Sequence, residues 1–215
     1  MNLKPVALDL EMSGLDMEKC GVWQIGAVDL DTGEEFLEES RIDDEDEVNE
    51  ESMRVSMKTE EELRDPSKQS QEEMIRKFFA WMEKRRARNF LAQNPAFDMG
   101  FLYIKASKYN LRKPFHFRSF DLHTIAQVIF YKLNNKFFTR ENDSDMSLTN
   151  ILEFCGIPDG RVQLVRGKVA KEGKPHNALE DAKLAAECFC RLMKGENLFP
   201  EYSQYAIPEV LKNAS

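Results

Sequence analysis

The chain has 215 residues, of which 42% are hydrophobic and 32% charged, and a formal net charge of −8. These values describe one globular domain with a full core, and they exclude a disordered chain or one built from apolar membrane spans. Most of the negative charge lies in residues 34–51, which contain eleven acids and one base, Arg41, and so carry −10. The other residues sum to +2, so the acidic balance argues only weakly against a polyanionic partner.

The first third of the chain predicts an antiparallel start to a sheet. Strand-like apolar runs occupy residues 6–10, 22–30 and 34–42. Asp31-Thr32-Gly33 is a tight-turn sequence between the last two runs. The acidic window predicts a solvated edge strand and loop, and residues 52–68 predict a loop with at most one helical turn near residues 60–64.

The rest of the chain alternates helices and strands. The predicted elements are a helix at 72–88, a strand at 90–92, a helix at 97–109, a strand at 117–120, helices at 122–133 and 147–155, a hairpin at 161–169 and a helix at 177–194. Antiparallel strands followed by this alternation predict an α/β fold, a mixed sheet with helices on both faces.

Two acids lie close together in the first predicted strand. Asp9 and Glu11 are two residues apart, so both side chains point to the same face of the strand. An unpaired carboxylate inside an apolar strand costs several kcal/mol, so something positive should compensate Asp9. An exposed pair on an edge strand is the alternative interpretation.

Two further acids lie at helix positions. Asp98 opens the predicted helix at 97–109, where an aspartate is also a favoured cap. Asp181 lies three residues after Ala178 in the apolar stripe of the last helix, so it faces the core or a site. His176 precedes Asp181 by five residues, where a loop and a helix start can bring both side chains to one point.

Together these residues predict a nuclease site. Four inward carboxylates without obvious buried basic partners repel one another unless divalent cations bind. Oxygen ligands favour Mg²⁺ or Mn²⁺ over zinc. Two such ions, about 3.5–4 Å apart, stabilise the attacking and leaving oxygens of a phosphodiester displacement. A nearby histidine can take the proton from the attacking water.

Several motifs follow one another in an order that carries a resemblance. They are Asp9-Leu10-Glu11-Met12-Ser13-Gly14-Leu15 with Gln24-Ile25-Gly26-Ala27-Val28, Ala92-Gln93-Asn94-Pro95-Ala96-Phe97-Asp98-Met99-Gly100-Phe101-Leu102, Ser119-Phe120-Asp121-Leu122-His123-Thr124-Ile125-Ala126, Ser147-Leu148 to Gly156-Ile157-Pro158, and His176-Asn177-Ala178-Leu179-Glu180-Asp181-Ala182. Together they resemble the DEDDh 3′→5′ exonucleases of the ribonuclease T and polymerase III epsilon type.

The resemblance implies a fold and a division of the chain. It covers residues 6 to about 192 and implies a ribonuclease H-like sheet of five strands, three antiparallel and then parallel, with helices on both faces. We therefore expect an exonuclease domain at 1–194 and a C-terminal tail at 195–215.

The resemblance also implies roles for the site residues. Asp9, Glu11, Asp98 and Asp181 would hold two metal ions, Mg²⁺ or Mn²⁺, and His176 would be the general base. The implied activity is hydrolysis of single-stranded DNA or RNA 3′ ends to nucleoside 5′-monophosphates. Relatives similar to ribonuclease T are often dimers, so a homodimer is a further expectation.

Residues just after Glu11 are implied to bind the substrate. In the family the 3′-terminal nucleotide lies against positions that correspond to Met12, Ser13 and Leu15. By analogy with ribonuclease T, Phe97 and Phe117 would stack on terminal bases, which any base tolerates. The alternative is that both are core phenylalanines.

Two segments depart from the family pattern. The link between residues 158 and 176 is longer than the compact link that the family has, and its basic residues are Arg161, Arg166, Lys168, Lys171 and Lys174. It predicts either a basic flap that contacts phosphates or a solvated hairpin. The acidic window would repel nucleic acid at the edge that it occupies.

Other classes of function predict different sequence features. A catalytically idle nucleic-acid-binding or subunit-interaction module would retain the fold, but it would be favoured only by loss of one of the five site residues. A calcium-binding protein would carry a D-x-[DN]-x-[DN]-G loop, which the sequence lacks. Residues 1–5 show no secretory pattern and the four cysteines show no zinc or disulfide framework, so we expect a cytoplasmic protein that does not bind membranes.

Overall fold

A five-stranded sheet forms the centre of the protein, whose structure is a computed structural model. The structure describes residues 4–165 and 168–212, with only the backbone described at 164 and 165. The strands are β1 (Val6–Met12), β2 (Val22–Asp29), β3 (Glu35–Glu39), β4 (Phe90–Ala92) and β5 (Phe120–Asp121). Their order is β3-β2-β1-β4-β5; the first three are antiparallel, and β4 and β5 continue in parallel with β1. This confirms the predicted mixed sheet.

Helices cover both faces of the sheet, as predicted. They are α1 (Glu50–Ser56), α2 (Glu60–Leu63), α3 (Gln71–Glu83), α4 (Pro95–Lys108), α5 (Leu122–Asn134), α6 (Leu148–Phe154), α7 (Ala178–Lys194) and α8 (Glu209–Lys212), with a 3₁₀ turn at Pro200–Tyr202. Apolar residues of α3 and α4 form the core on one face, and those of α5, α6 and α7 form it on the other. None of the helices within the described ranges is long and apolar enough to cross a membrane.

Strand β1 lies in the middle of the sheet and divides its side chains between the two cores. Val6, Leu8 and Leu10 belong to the core on the α3 and α4 side, whereas Ala7 belongs to the core beneath α7. Because strand side chains alternate, Asp9 and Glu11 point to the α7 face with Ala7. The interpretation of these acids as an exposed pair on an edge strand is therefore wrong.

The start of α7 lies directly against β2, opposite the acids of β1. Asp9 pairs with Gly26 and Glu11 pairs with Gln24 in the antiparallel register. A Cβ atom at Gly26 would overlap the backbone of Ala178. The Gln24 Oε1 atom accepts a hydrogen bond of 2.7 Å from the Ala178 N–H. The motif from Gln24 to Gly26 therefore seats the first turn of α7 beside the two acids.

The acidic window is more ordered and less solvated than its composition predicts. Ile42 and Asp46 are buried, and Asp46 accepts a hydrogen bond of 2.7 Å from the Lys105 ammonium on α4. The window runs into α1, a helix where the sequence predicts loop from residue 52. The Asn49 side chain caps this helix by accepting from the N–H groups of Glu51 and Ser52.

Two small hairpins lie outside the main sheet. The first joins β6 (Thr139–Arg140) to β7 (Asp143–Ser144) and was not expected from the sequence. The second joins β8 (Gln163–Val165) to β9 (Lys168–Lys171) and confirms the hairpin predicted at residues 161–169.

The segment after α7 packs onto that helix as part of the fold. Arg191 and Glu187 form a buried ion pair at 2.8 Å on α7. Arg191 also donates to the Tyr202 carbonyl at 2.9 Å, and Glu187 accepts from the Leu198 N–H at 2.8 Å. Leu211 on α8 is fully buried. Residues 195–212 of the predicted tail thus pack against α7, and residues 213–215 lie outside the described residues.

Candidate active site

The four predicted acids converge at the end of β1. Asp181 lies in the first turn of α7 and is 3% exposed; Asp98 lies in the first turn of α4 and is 5% exposed. The Asp98 Oδ1 atom accepts a hydrogen bond of 3.1 Å from the N–H of Leu10, which lies between Asp9 and Glu11. Asn94, not Asp98, occupies the cap position of α4. The interpretation of Asp98 as a helix cap is therefore wrong.

Burial and mutual repulsion favour the protonated forms of these acids. Burial, followed by the charge of Asp181, raises the pKa of Asp9 well above its usual value and raises the pKa of Glu11 to about 8. Burial also raises the pKa of Asp98 to about 7 and raises the pKa of Asp181. A divalent cation compensates the charge of several carboxylates held close together, so such a cluster favours its binding.

The side chains present fit such a cation. Ligand atoms of Glu11, His176 and Asp181 all lie within 4.8 Å of one another. The Asp181 Oδ1 atom is buried and has no hydrogen-bond partner among the described residues. A buried carboxylate oxygen without a partner is costly, and a metal ion satisfies it. Carboxylate oxygens are the ligands that hard divalent cations prefer.

His176 lies at the rim of this cluster with one ring nitrogen turned inward. Its Nε2 atom lies 3.1 Å from the Val162 carbonyl. Because a carbonyl only accepts, this contact assigns the hydrogen of the neutral ring to Nε2 and leaves a lone pair on Nδ1. The Nδ1 atom lies 3.6 Å from Asp181 Oδ2. The lone pair therefore faces the acids.

A buried arginine compensates one of the acids, and sequence analysis missed it. Arg161 is 5% exposed, and its Nη1 atom donates to Asp181 Oδ2 at 2.7 Å. The expectation of four acids without a buried basic partner is therefore wrong. The partner comes from the long link before His176, and the sequence does not reveal that tertiary contact. Of the two alternatives for this link, the solvated hairpin is wrong for Arg161, which is buried.

The other basic residues of the long link have varied surroundings. The side chains of Lys168 and Lys174 are exposed. The backbone of Lys174 forms an isolated parallel β-bridge with the backbone of Arg161. The Lys171 ammonium donates to the Asp159 carbonyl. Arg166 lies outside the described residues.

A cleft of about 330 Å³ opens above the acids. Its lining consists of Asp9, Leu10, Glu11, Met12, Gly14, Leu15, Ser52, Val55, Gln93, Ser147, Leu148, Thr149, Arg161, His176 and Asp181. Two predicted substrate residues, Met12 and Leu15, are thus at the cleft, and Leu15 is 73% exposed. Helix α1 supplies one wall, which the sequence did not predict because residues 52–68 have the composition of a loop.

Ser13 is brought near the cleft but is fully buried. Its hydroxyl donates to the Glu47 carbonyl at 2.6 Å and accepts from the Gly21 N–H at 2.8 Å. Its backbone N–H and carbonyl are bonded to Gly21 and Asn49. Because every polar group of Ser13 holds neighbouring chain segments together, its position argues against the predicted contact with substrate.

The two predicted stacking residues lie apart from each other. The Phe97 ring is half-buried and packs edge-on against Phe101 at 5.3 Å, as the core alternative predicts. Phe117 is 67% exposed, but it lies at the opposite end of the sheet from the acids. The backbone N–H of its neighbour His116 donates to the carbonyl of Arg88, which lies just before the start of β4. This position argues against Phe117 as a stacking residue at the cleft.

A family model described as exonuclease (RNase_T) matches residues 6–189 of the chain. No curated protein sequence matches it. The structure is similar to that of the nuclease domain of 3′hExo, a DEDDh family member, bound to rAMP. That match has 17% identity and a TM-score of 0.61 over 95% of both chains.

Two other solved structures share the fold. E. coli Exonuclease I in complex with a dT13 oligonucleotide matches at 16% identity and a TM-score of 0.63, over 86% of this chain and 40% of that one. Cell-death related nuclease 4 matches at 14% identity and a TM-score of 0.62, over 88% and 63% of the two chains. At these identities the likeness shows the fold, and the chain spans less than half of Exonuclease I.

Proposed function

The chain belongs to the DEDDh exonuclease family, and we propose that it removes nucleotides one at a time from the 3′ end of single-stranded DNA or RNA. Members of this family are nucleases that depend on divalent metal. The observation that carries the proposal is the convergence of three buried acids, the half-buried Asp9 and one inward-facing imidazole beneath an open cleft.

Asp9, Glu11, Asp98 and Asp181 would hold two Mg²⁺ or Mn²⁺ ions. When bound, these ions supply charge stabilisation to the attacking and leaving oxygens of the phosphodiester. The assignment is supported by the raised pKa values of the acids and by the Asp181 Oδ1 atom, which has no hydrogen-bond partner among the described residues. Asp98 is buried beneath the cleft, and its carboxylate is fixed by the hydrogen bond that it accepts from the Leu10 N–H.

His176 is the proposed general base. Its Nδ1 lone pair accepts a proton from the attacking water while the Val162 carbonyl holds the ring through Nε2. The water oxygen bonds to phosphorus, and the bond between phosphorus and the 3′ oxygen of the preceding nucleotide breaks. The terminal nucleotide leaves as a nucleoside 5′-monophosphate, and the 3′ oxygen takes a proton from solvent.

Met12 and Leu15 are the proposed contacts for the terminal nucleotide. Both line the cleft beside the acids, and Leu15 presents an exposed apolar side chain. Two structures of similar fold contain rAMP or a dT13 oligonucleotide, which supports an RNA or DNA end as substrate. The homodimer implied by the resemblance and the cytoplasmic location expected from residues 1–5 and the cysteines stay predictions.

The base assignment is tested by His176→Ala under single-turnover conditions on a short single-stranded oligonucleotide. We expect the rate to fall by about 10²–10⁴, because a positioned base contributes that factor. His116→Ala is the matched control, since that histidine is exposed at the opposite end of the sheet. A near-normal rate for His176→Ala would remove it from this role.

A further inference from the structure

Arg161 is held in place by more than its contact with the acids. Its Nε and Nη2 atoms donate to the two carboxylate oxygens of Asp159 at 3.0 and 2.9 Å, and its backbone N–H donates to the same carboxylate at 2.9 Å. Thr149 donates to Asp159 at 2.7 Å. The guanidinium is therefore clamped on one edge and presents Nη1 in a fixed direction.

The segment that carries Arg161 is itself anchored at the base of the β8–β9 hairpin. The Val162 N–H donates to the Lys174 carbonyl, and the Lys174 N–H donates to the Gly160 carbonyl, both at 2.9 Å. The same segment supplies the Val162 carbonyl that contacts His176. Consecutive residues of this link thus contact both the proposed base and one of the acids.

The contact with Arg161 divides the two oxygens of Asp181 between different partners. Oδ2 receives the Nη1 hydrogen at 2.7 Å, while Oδ1 is buried without a hydrogen-bond partner in the described part of the chain. A charge-assisted hydrogen bond to one oxygen restricts the rotation of the carboxylate. The other oxygen is then held within the cluster that Asp181 forms with Glu11 and His176, whose ligand atoms lie within 4.8 Å of one another.

We propose that Arg161 is a positioning residue for the cation site: it holds Asp181 through Oδ2 so that Oδ1 is ready to bind a divalent cation. The inference rests on the proposed function for the identity of the site. Partners that orient a ligating side chain typically contribute a factor of about 10–100 to metal affinity. Arg161 therefore raises cation affinity although its own charge is positive.

In the opposite role, the Arg161 guanidinium would occupy the place of a metal ion and compete with that ion for Asp181. The geometry disfavours that role. The charge of Arg161 is already paired with Asp159, and its contact with Asp181 leaves Oδ1 without a hydrogen-bond partner among the described residues. The two roles differ in sign. Loss of Arg161 weakens metal binding in the first case and strengthens it in the second.

The test is Mn²⁺ binding to the chelator-stripped full-length protein, measured by titration calorimetry for wild type and Arg161→Met. We expect the dissociation constant to rise about 10–100-fold, and the increase in melting temperature on adding Mn²⁺ to shrink. Arg85→Met is the matched control, since Arg85 is also buried and paired, with Asp29 and Glu34, at the far end of β2. It should lower stability and leave the Mn²⁺ dissociation constant unchanged.

Unchanged or tighter Mn²⁺ binding by folded Arg161→Met would overturn the proposal. If that variant does not fold, Asp159→Asn, which weakens the clamp, must show the same direction of change for the proposal to stand. Nuclease activity is measured separately. A wild-type protein that binds Mn²⁺ but cleaves nothing would contradict the proposed function alone, and an active wild type with normal affinity in Arg161→Met would contradict this inference alone.

Discussion

Asp9, Glu11, Asp98 and Asp181 are acids in positions that disfavour their charge. Burial is the largest cause of the raised pKa in each case, and the neighbouring acids add to it for Asp9 and Glu11. A fold retains such groups at a cost in stability. A divalent cation removes that cost when it binds, so metal binding and folding stability are linked.

The first prediction concerns the pH dependence of stability without metal. In the fold the pKa of Glu11 is about 8 and that of Asp98 about 7, against ordinary values of 4.5 and 3.8. Because the folded state binds these protons more tightly than the unfolded state, the free energy of unfolding falls as pH rises between about 4 and 8.

Urea unfolding in chelator at several pH values measures this dependence. Glu11→Gln should flatten the decline, because the amide carries no titrating proton, and added Mg²⁺ should reduce it. A metal-free protein whose stability rises or stays constant from about pH 5 to 8 would contradict the account.

At the scale of elements, the first turn of α7 carries Asp181 to the acids of β1, and Gly26 permits the approach. We expect Gly26→Ala to lower stability by about 1–3 kcal/mol or more, because its Cβ would overlap the backbone of Ala178 and Leu179. Nuclease activity per folded molecule should fall as well, since Asp181 would be displaced. Gly160→Ala is the control, because nothing lies within 4 Å of a Cβ there. Equal stability of Gly26→Ala and wild type would contradict this account of the packing.

Elements with a strong period were predictable from the sequence. The apolar stripe of α7 and the alternation of β1 place Asp181, Asp9 and Glu11 on buried faces, and the structure agrees. These patterns persist because each element buries one face against a core. The existence of the four acids at one site was therefore accessible from local pattern and motif order.

Features that depend on tertiary contacts were not predictable. Helix α1 is short and lies in an acidic segment, and it is held by the Asn49 cap and by a bond from the His176 N–H to the Val55 carbonyl. Arg161 lies in a basic segment whose composition is typical of a solvated hairpin, and only its contact with Asp181 shows that it is buried. Ser13 lies in a motif of substrate residues, yet its hydroxyl is used within the fold.

At the scale of the whole molecule, the acidic window is offset by basic side chains from other elements. Lys105 pairs with buried Asp46 at 2.7 Å, and Lys77 lies 3.6 Å from Glu38. Lys68 lies 3.5 Å from Glu39. The two partly exposed pairs, formed by Lys77 and Lys68, add little stability, but all three pairs reduce the negative field at that edge of the sheet.

The segment after α7 is expected to be required for stability. Removal of residues 196–215 would leave Arg191 and Glu187 without several of their hydrogen-bond partners. Each unsatisfied buried group costs about 1–3 kcal/mol, more when charged, so we expect a clear shift of the urea midpoint to lower concentration. Truncation of residues 213–215 alone is the control. An unchanged midpoint for the longer truncation would show that the segment is a mere appendage.

The activity proposed for this chain is metal-dependent cleavage from the 3′ end of a single strand. The most direct measurement uses 5′-labelled single-stranded DNA and RNA of equal sequence, incubated with Mg²⁺ or with chelator. We expect a ladder of labelled products that shortens one nucleotide at a time and vanishes on chelation, and the faster substrate identifies the preferred nucleic acid. Release of the labelled 5′ nucleotide first, internal cleavage, or no cleavage of either strand would contradict it.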